Sequence, residues 1–414
     1  MGNYNDKVLP IVIVGHVDHG KSTLIGRLIY DTNSLSQEKL GEIERGQAKL
    51  GPKVEFAHLI DYLKEERERE MTIDTSQIFF KSQKRRYVVI DTPGHKEFIK
   101  NMITGSSQAE AALLIIDATE GVKDQTRRHC HILKILGLKQ FCVLINKMDL
   151  VDYSQSRYDE IKDQIDKLLN QFDMGSSDII PISAVKGDNI DSSSLKMGWF
   201  EGPTVLEALD NFSELAIETK PLRFPVQDIY KINGLDIIVG RVEAGSLRKA
   251  QKVTALPSGE NLVVATIEKF LEEKKSIACT GECIGMTLEE NFPISRGELL
   301  VEDSKDSVLP LTTEDFKANI IWMVEEIYSI GAPLMFKCVT QEIPCSINTI
   351  YKCFDPAFVE IVEENSNEIK SAEVAEVKIH LETPAVLDSF NEFPETGRFV
   401  LEHRGQPVAG GVIL

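Results

Sequence analysis

Val8-Leu9-Pro10-Ile11-Val12-Ile13-Val14, running into Gly15-His16-Val17-Asp18-His19-Gly20-Lys21-Ser22, decides the fold of this chain. The first seven residues are non-polar without alternation, the pattern of a strand buried on both faces. The octet that follows fits G-x-x-x-x-G-K-[ST], and residues 21–30 resume with apolar side chains at helical spacing. Strand, glycine loop and helix in that order make a phosphate-binding loop. Its glycines let backbone N–H groups turn toward phosphate oxygens, and the helix N-terminus favours negative charge. On this reading Gly15, Asp18, His19 and Gly20 form the cradle. Lys21 reaches the β- and γ-phosphates, Ser22 ligates Mg²⁺ and Thr23 contacts the α-phosphate.

Further apolar runs at 87–90, 111–116, 141–145 and 179–182 alternate with helical stretches such as 124–136 and 158–172. Strand alternating with helix predicts a mostly parallel sheet with helices on both faces. Two of these runs end in chemistry. Asp91-Thr92-Pro93-Gly94-His95 follows the 87–90 run, so Asp91 leaves a strand end beside the phosphate loop. A carboxylate there holds Mg²⁺ through water, and the Gly94 N–H meets the γ-phosphate. Asn146-Lys147-Met148-Asp149 ends the 141–145 run. The Asp149 carboxylate accepts from both N1–H and the 2-amino group of guanine, a donor pair that adenine lacks. Ser183-Ala184-Val185, after the last run, fits the loop that meets the guanine O6. Four such segments, each at a strand end, imply GTP and GDP as ligands.

Near residue 215 the texture changes to short β-rich runs, 224–230, 237–242 and 252–256, separated by turns such as Asn233-Gly234 and Pro257-Ser258-Gly259. This rhythm predicts antiparallel barrels. A polar, acidic stretch at 302–315 marks a second break. The expected architecture is an α/β P-loop G domain over residues 1–215, then two antiparallel β-barrel domains over 216–308 and 309–414.

Composition sets broad limits. With 42% hydrophobic and 27% charged residues the chain reads as globular, and no apolar run approaches the roughly 20 residues of a spanning helix. The polar start lacks a secretory signal pattern, and the expected location is the cytoplasm. Seven cysteines, an odd number set in mostly apolar stretches, read as reduced thiols rather than a disulfide framework. The net charge of −19 argues against a broad nucleic-acid face, while leaving room for a local basic patch. Arg127-Arg128-His129 reads as a solvated helix face, Lys84-Arg85-Arg86 as a hairpin tip, and Trp199 and Trp322 as packing residues.

These motifs resemble those of the translational GTPases, the superfamily of elongation factor Tu, over essentially the whole chain. Residues 65–74, with Met71-Thr72-Ile73-Asp74, resemble the family's first switch segment, although Glu70 stands where glycine is usual. The resemblance implies Thr72 as a Mg²⁺ ligand in the GTP state and His95 as the residue that orients the attacking water. It implies Val17 and Ile73 as a hydrophobic gate before that histidine. Lys21, Thr72 and His95 are then the catalytic set.

Within the superfamily, residues 22–31, 124–129, 146–154, 256–259, 294–300 and 321–323 resemble the GTPase subunit of bacterial sulfate adenylyltransferase. That resemblance implies GTP hydrolysis coupled to making adenosine 5′-phosphosulfate from ATP and sulfate. The partner would be a separate catalytic subunit, held in a hetero-oligomer. The loop His16-Val17-Asp18-His19 instead reads as in elongation factors, and residues 227–234 resemble the archaeal and eukaryotic factor that delivers aminoacyl-tRNA to the ribosome. The sulfate branch is the leading expectation and tRNA delivery the alternative.

Overall fold

A computed structural model describes residues 8–34, 77–90, 109–135, 137–138, 140–172, 174–175, 177–212, 220–232, 234–269, 276–290, 292–303, 308–354, 361–371 and 373–414. The chain divides into two compact units, one made essentially of residues 1–213 and the other of residues from 214 onward.

The first unit is built on a six-stranded sheet. Its strands are β1 (Val8–Gly15), β2 (Gln77–Lys81), β3 (Arg86–Ile90), β4 (Ala111–Asp117), β5 (Gln140–Asn146) and β6 (Ile179–Pro181). Their order is β2-β3-β1-β4-β5-β6, parallel throughout except for the β2–β3 hairpin. Because β1 lies between β3 and β4, the strand order reverses there, and in open α/β sheets the ligand crevice sits outside the carboxyl ends at that reversal. The phosphate loop leaves the sheet at this point.

Helices α1 (Lys21–Asp31), α2 (Asp124–Ile135), α3 (Gln155–Gln171) and α4 (Val205–Asn211) accompany the strands. Leu24, Ile25, Leu28 and Ile29 of α1 and Val205, Leu206, Ala208 and Leu209 of α4 share a core with Ile11, Ile13, Leu113, Ile115 and Leu144. Burying each large aliphatic side chain is worth about 1.5–3 kcal/mol. The alternate strand residues Val12, Val14, Leu114 and Ile116 are buried as well, which explains the unbroken apolar runs. Helix α4 starts on a Thr204–Glu207 capping box. At its other end Asp210 accepts hydrogen bonds from Tyr87 Oη (2.5 Å) and Ser82 Oγ (2.6 Å), fastening the β2–β3 hairpin.

In the second unit, β7 (Arg223–Ile232), β8 (Leu235–Arg241), β10 (Lys252–Leu256), β11 (Glu260–Glu268), β13 (Cys283–Leu288) and β14 (Leu299–Glu302) close into a barrel in the order β10-β11-β13-β8-β7-β14. Short β9 (Ser246–Arg248) and β12 (Ile277–Cys279) pair beside it. A second closed ring follows from β15 (Leu311–Trp322), β17 (Pro333–Cys338), β18 (Gln341–Phe354), β21 (Val374–Leu387), β22 (Arg398–His403) and β23 (Gln406–Ile413). Strand β17 pairs with both β22 and β18, which closes it, and β19 (Ile361–Glu364) extends it at β18. Short strands β16 (Tyr328–Ser329) and β20 (Glu368–Ile369) pair separately. Alternating burial along β13, β17 and β18 is the imprint of one wet and one dry barrel face.

The two barrels meet through a buried ion pair. Arg223, at the start of β7, is 1% exposed and grips Asp388 with two hydrogen bonds of 2.9 Å each. Thr396 Oγ1 donates to the same carboxylate at 2.6 Å, and the Phe393 ring lies 4.0 Å from the guanidinium carbon. Leu299, Val301 and Val386 add a small apolar contact.

Some local expectations change. The 127–129 segment is not a solvated face: His129 is buried, its Nδ1 2.6 Å from the Gln125 carbonyl, because α2 turns this side to the core with Cys130 and Leu133. Cys283 is exposed and Cys279 half-buried, while the other five cysteines are buried. The 84–86 segment does sit at the turn into β3, and both tryptophans pack, Trp199 against Tyr158 and Trp322 against Tyr328.

Candidate functional site

The loop between β1 and α1 is shaped by two positions that admit no side chain. A Cβ on Gly15 would lie 2.6 Å from the Ile115 carbonyl oxygen, so β1 and β4 approach through this glycine. Gly20 has φ 93°, and a Cβ there would lie 2.5 Å from Asn146 Nδ2. Asp18 also takes a left-handed conformation, with φ 66°. Gly20 heads α1 without any side-chain cap, and the first intrahelical bond runs from Leu24 N–H to the Gly20 carbonyl. The amides of Ser22 and Thr23 therefore have no acceptor within the helix and point along its axis, the geometry that receives an anion. Lys21 Nζ lies over the loop, donating to the Gly15 and His16 carbonyls at 2.7 and 2.8 Å. Ser22 is exposed, and Val17 stands 69% exposed on the loop.

Asn146 braces this loop from the far side of the site. Its Nδ2 donates to the His19 carbonyl at 2.8 Å, and its Oδ1 accepts from the Ala184 amide at 2.9 Å. One buried amide thus ties the phosphate loop to the 183–185 segment. Beyond it, Lys147 adopts φ 64° and caps a short 3₁₀ turn, Met148–Val151, that carries Asp149. Ser183 Oγ donates to Asp149 Oδ1 at 2.6 Å. Val185, 54% exposed, and half-buried Asp149 and Lys147 frame the open side of this segment. Gly20→Ala, which strains φ and pushes on the Asn146 brace, is expected to weaken guanine nucleotide binding by roughly tenfold or more, read by calorimetric titration with GDP.

His19 is 1% exposed, and burial holds its imidazole below the ordinary value despite the Ile115 carbonyl 3.2 Å from Nδ1 and Glu120 at 3.7 Å. The side chain is therefore a packing element of the loop, neutral at neutral pH, and its carbonyl is the part offered to Asn146.

Of the residues expected from sequence, Gly15, Asp18, His19, Gly20, Lys21, Ser22, Thr23, Asn146, Lys147, Asp149, Ser183, Ala184 and Val185 lie at the ends of β1, β5 and β6 or in the segments that follow them, and the Asn146 and Ser183 bonds just described link these segments. Thr72, Ile73, Asp91, Gly94 and His95 lie outside the described residues. Strand β3, which leads to Asp91, ends at Ile90 in register with Val12 of β1. Sequence reading missed two residues. Asp117, at the end of β4, forms a 2.6 Å ion pair with Lys147 and accepts from the Thr119 amide and hydroxyl at 2.7 Å. Burial alone would raise its carboxyl, but the bonds from Lys147 and Thr119 outweigh it and hold the group below its ordinary value. Arg157 of α3 donates to the Ala118 carbonyl at 2.8 Å, tying the same loop down. The available signal was an aspartate closing a strand otherwise entirely apolar.

A phosphate loop at the strand-order reversal and a braced Asn-x-x-Asp segment at the next strand end but one define a P-loop GTPase, followed along the chain by two β-barrels. A family profile described as the elongation factor Tu GTP binding domain matches residues 6–215, and one described as GTP-eEF1A C-terminal domain-like matches 315–414. Elongation factor 1-alpha of Pyrococcus furiosus is 39% identical, with 98% of this chain and 96% of that protein aligned. Elongation factor 1-alpha of Methanopyrus kandleri is also 39% identical over the same shares. The solved structure of sup35 complexed with GDP aligns over 99% of this chain and 94% of its own at 24% identity, with a TM-score of 0.46, too loose a likeness to say how parts are arranged. The chain belongs to the elongation factor Tu/1-alpha family of GTPases.

The sulfate-activating assignment is overturned by these full-length matches to elongation factor 1-alpha. The catalytic sulfurylase partner expected from it falls with it. Residues 22–31 belong to α1, packed on the sheet, and 146–154 begin at the Asn146 brace, so core packing and the nucleotide site account for both stretches. They carry little information about branch.

Proposed function

We propose that this protein is a translation elongation factor that delivers aminoacyl-tRNA to the ribosome in its GTP form and releases it after hydrolysis. The observation that carries this reading is the end-to-end similarity to elongation factor 1-alpha, through both barrels as well as the GTPase domain. The division at 215/216 and 308/309 belongs to the same reading, as does action in the cytoplasm. A net charge of −19 is compatible with it, since tRNA contacts need only local basic patches.

The phosphate loop fits a GTP·Mg²⁺ ligand: its glycines leave no room for Cβ atoms, and Lys21 and Ser22 follow directly at a helix N-terminus. Ser22, Thr72 and Asp91 would hold Mg²⁺, which neutralises charge on the β- and γ-phosphates when bound. Lys21 leaves the loop carbonyls for the phosphate oxygens, and loop amides stabilise charge developing on the departing group. Asp149, oriented by Ser183, accepts from guanine N1–H and the 2-amino group, and Ala184 and Val185 stand on the O6 side. His95 orients a water for in-line attack, behind a gate of Val17 and Ile73. No arginine finger is identifiable in the sequence, so hydrolysis is slow until a partner positions His95.

His95→Ala is expected to leave GTP affinity within about twofold while slowing ribosome-stimulated hydrolysis by a factor of roughly 10²–10⁴. Stimulated turnover unchanged in single-round phosphate release would refute the role. The delivery reading is tested by filter binding of aminoacyl-tRNA to the GTP and GDP forms, with retention only by the GTP form expected.

A further inference from the structure

Asp117 is the least expected residue beside the base segment. Its side chain is 3% exposed, at the end of a strand whose other residues are all buried and apolar. A carboxylate in such a place is costly unless every oxygen finds a donor. Here both do: Thr119 supplies two hydrogen bonds to Oδ1, and Lys147 supplies a 2.6 Å ion pair to Oδ2. Lys147 is the residue whose left-handed backbone, φ 64°, turns the chain from β5 into the 3₁₀ turn bearing Asp149. L-residues other than asparagine and aspartate seldom hold that conformation unless their surroundings impose it. The Ala118 amide donates to the Asn146 carbonyl at 2.8 Å, so the same loop also holds the end of β5.

We propose that Asp117 is a specificity-positioning residue. By clamping the Lys147 side chain it fixes the turn that aims Asp149, and thereby sets discrimination for the guanine 2-amino group. The inference rests on the assignment of Asp149 to guanine, and goes beyond it by naming a residue on a different strand that controls its aim. Asp117 acts through Lys147, and no contact with the nucleotide is assigned to it.

The test measures Kd for GDP and for inosine diphosphate, which lacks the 2-amino group, on the full chain and on Asp117→Ala, Lys147→Met, the double variant and Asp149→Asn. For Asp117→Ala we expect GDP to weaken roughly tenfold, the scale of losing a supporting contact behind an intact primary one. IDP should weaken much less, so the GDP/IDP preference shrinks. The GTP/GDP ratio stays put because the phosphate loop is untouched. The double variant should be no worse than Asp117→Ala, since both remove one clamp. Equal weakening of GDP and IDP would mean a merely structural role and overturn the proposal, as would an unchanged GDP/IDP preference. If Asp117→Ala does not fold, Lys147→Met alone decides by the same ratio. The Asp149→Asn arm separates the two levels: if it keeps full GDP affinity, the base-site reading has failed. If it loses GDP as expected while the Asp117 and Lys147 variants keep their preference, only the present proposal fails.

Discussion

Asp149→Asn is expected to lower GTP and GDP affinity by roughly 10²–10⁴-fold and to shift preference toward xanthine nucleotides. On the proposed base assignment the wild-type carboxylate offers two acceptors to two guanine donors, and hydrogen bonds to a charged group contribute about 1.5–3 kcal/mol each. An asparagine keeps one acceptor and turns the other position into a donor, which meets the guanine 2-amino group head on. Xanthine presents a carbonyl there instead and accepts that donor. Ser183 Oγ donates to Asp149 Oδ1 at 2.6 Å, a bond that orients the side chain in the absence of a base. Calorimetric titration with GDP and XDP measures both halves. Full GDP affinity in the variant would show that the base is recognised elsewhere.

The largest effect on stability is expected from Asp388→Ala. It leaves the Arg223 guanidinium, 1% exposed, facing a gap instead of a bidentate partner. Removing one member of a buried pair costs about 3–5 kcal/mol, because the remaining charge stays out of water. The Leu222 and Val308 carbonyls still accept from Arg223, at 3.1 and 2.8 Å, but neither carries charge. The Thr396 hydroxyl loses its acceptor as well. Urea unfolding followed by the fluorescence of Trp322, with Trp199 replaced by phenylalanine, should show the barrel transition moving to markedly lower denaturant. A combined Arg223→Met, Asp388→Leu variant, which empties the site of charge, should recover most of the loss. An unmoved midpoint in Asp388→Ala would mean that the pair is solvated in solution.

Much of this was legible in the sequence for a physical reason. Strands β1, β4 and β5 are buried on both faces, so they show as unbroken apolar runs, and each delivers its site residues at its carboxyl end. The hairpin strand β2 was not legible. Ile78 and Phe80 are buried but Phe79 is 45% exposed, and five residues at a sheet edge leave a weak pattern. Asp117 and Arg157 escaped because their partners, Lys147 and the Ala118 carbonyl, lie 30 and 39 positions away and no spacing rule connects them. His129 was misread because a helix with two arginines looks wet, although half of it faces the core. The choice of branch failed for a different reason. Of the stretches that favoured sulfate activation, 22–31 and 146–154 serve the phosphate loop and the Asn146 brace and 256–259 is a mostly exposed turn, so none of these separates the two branches, whereas the similarity to elongation factor 1-alpha spans 98% of the chain.

Under the proposed function, a guanine-nucleotide switch in the first unit controls binding of aminoacyl-tRNA. The direct measurement is the protection of the aminoacyl ester bond of charged tRNA from hydrolysis, with the protein loaded with a non-hydrolysable GTP analogue or with GDP. The GTP-analogue form is expected to slow deacylation at least tenfold and the GDP form to leave it unchanged. Equal deacylation rates in both forms would contradict it.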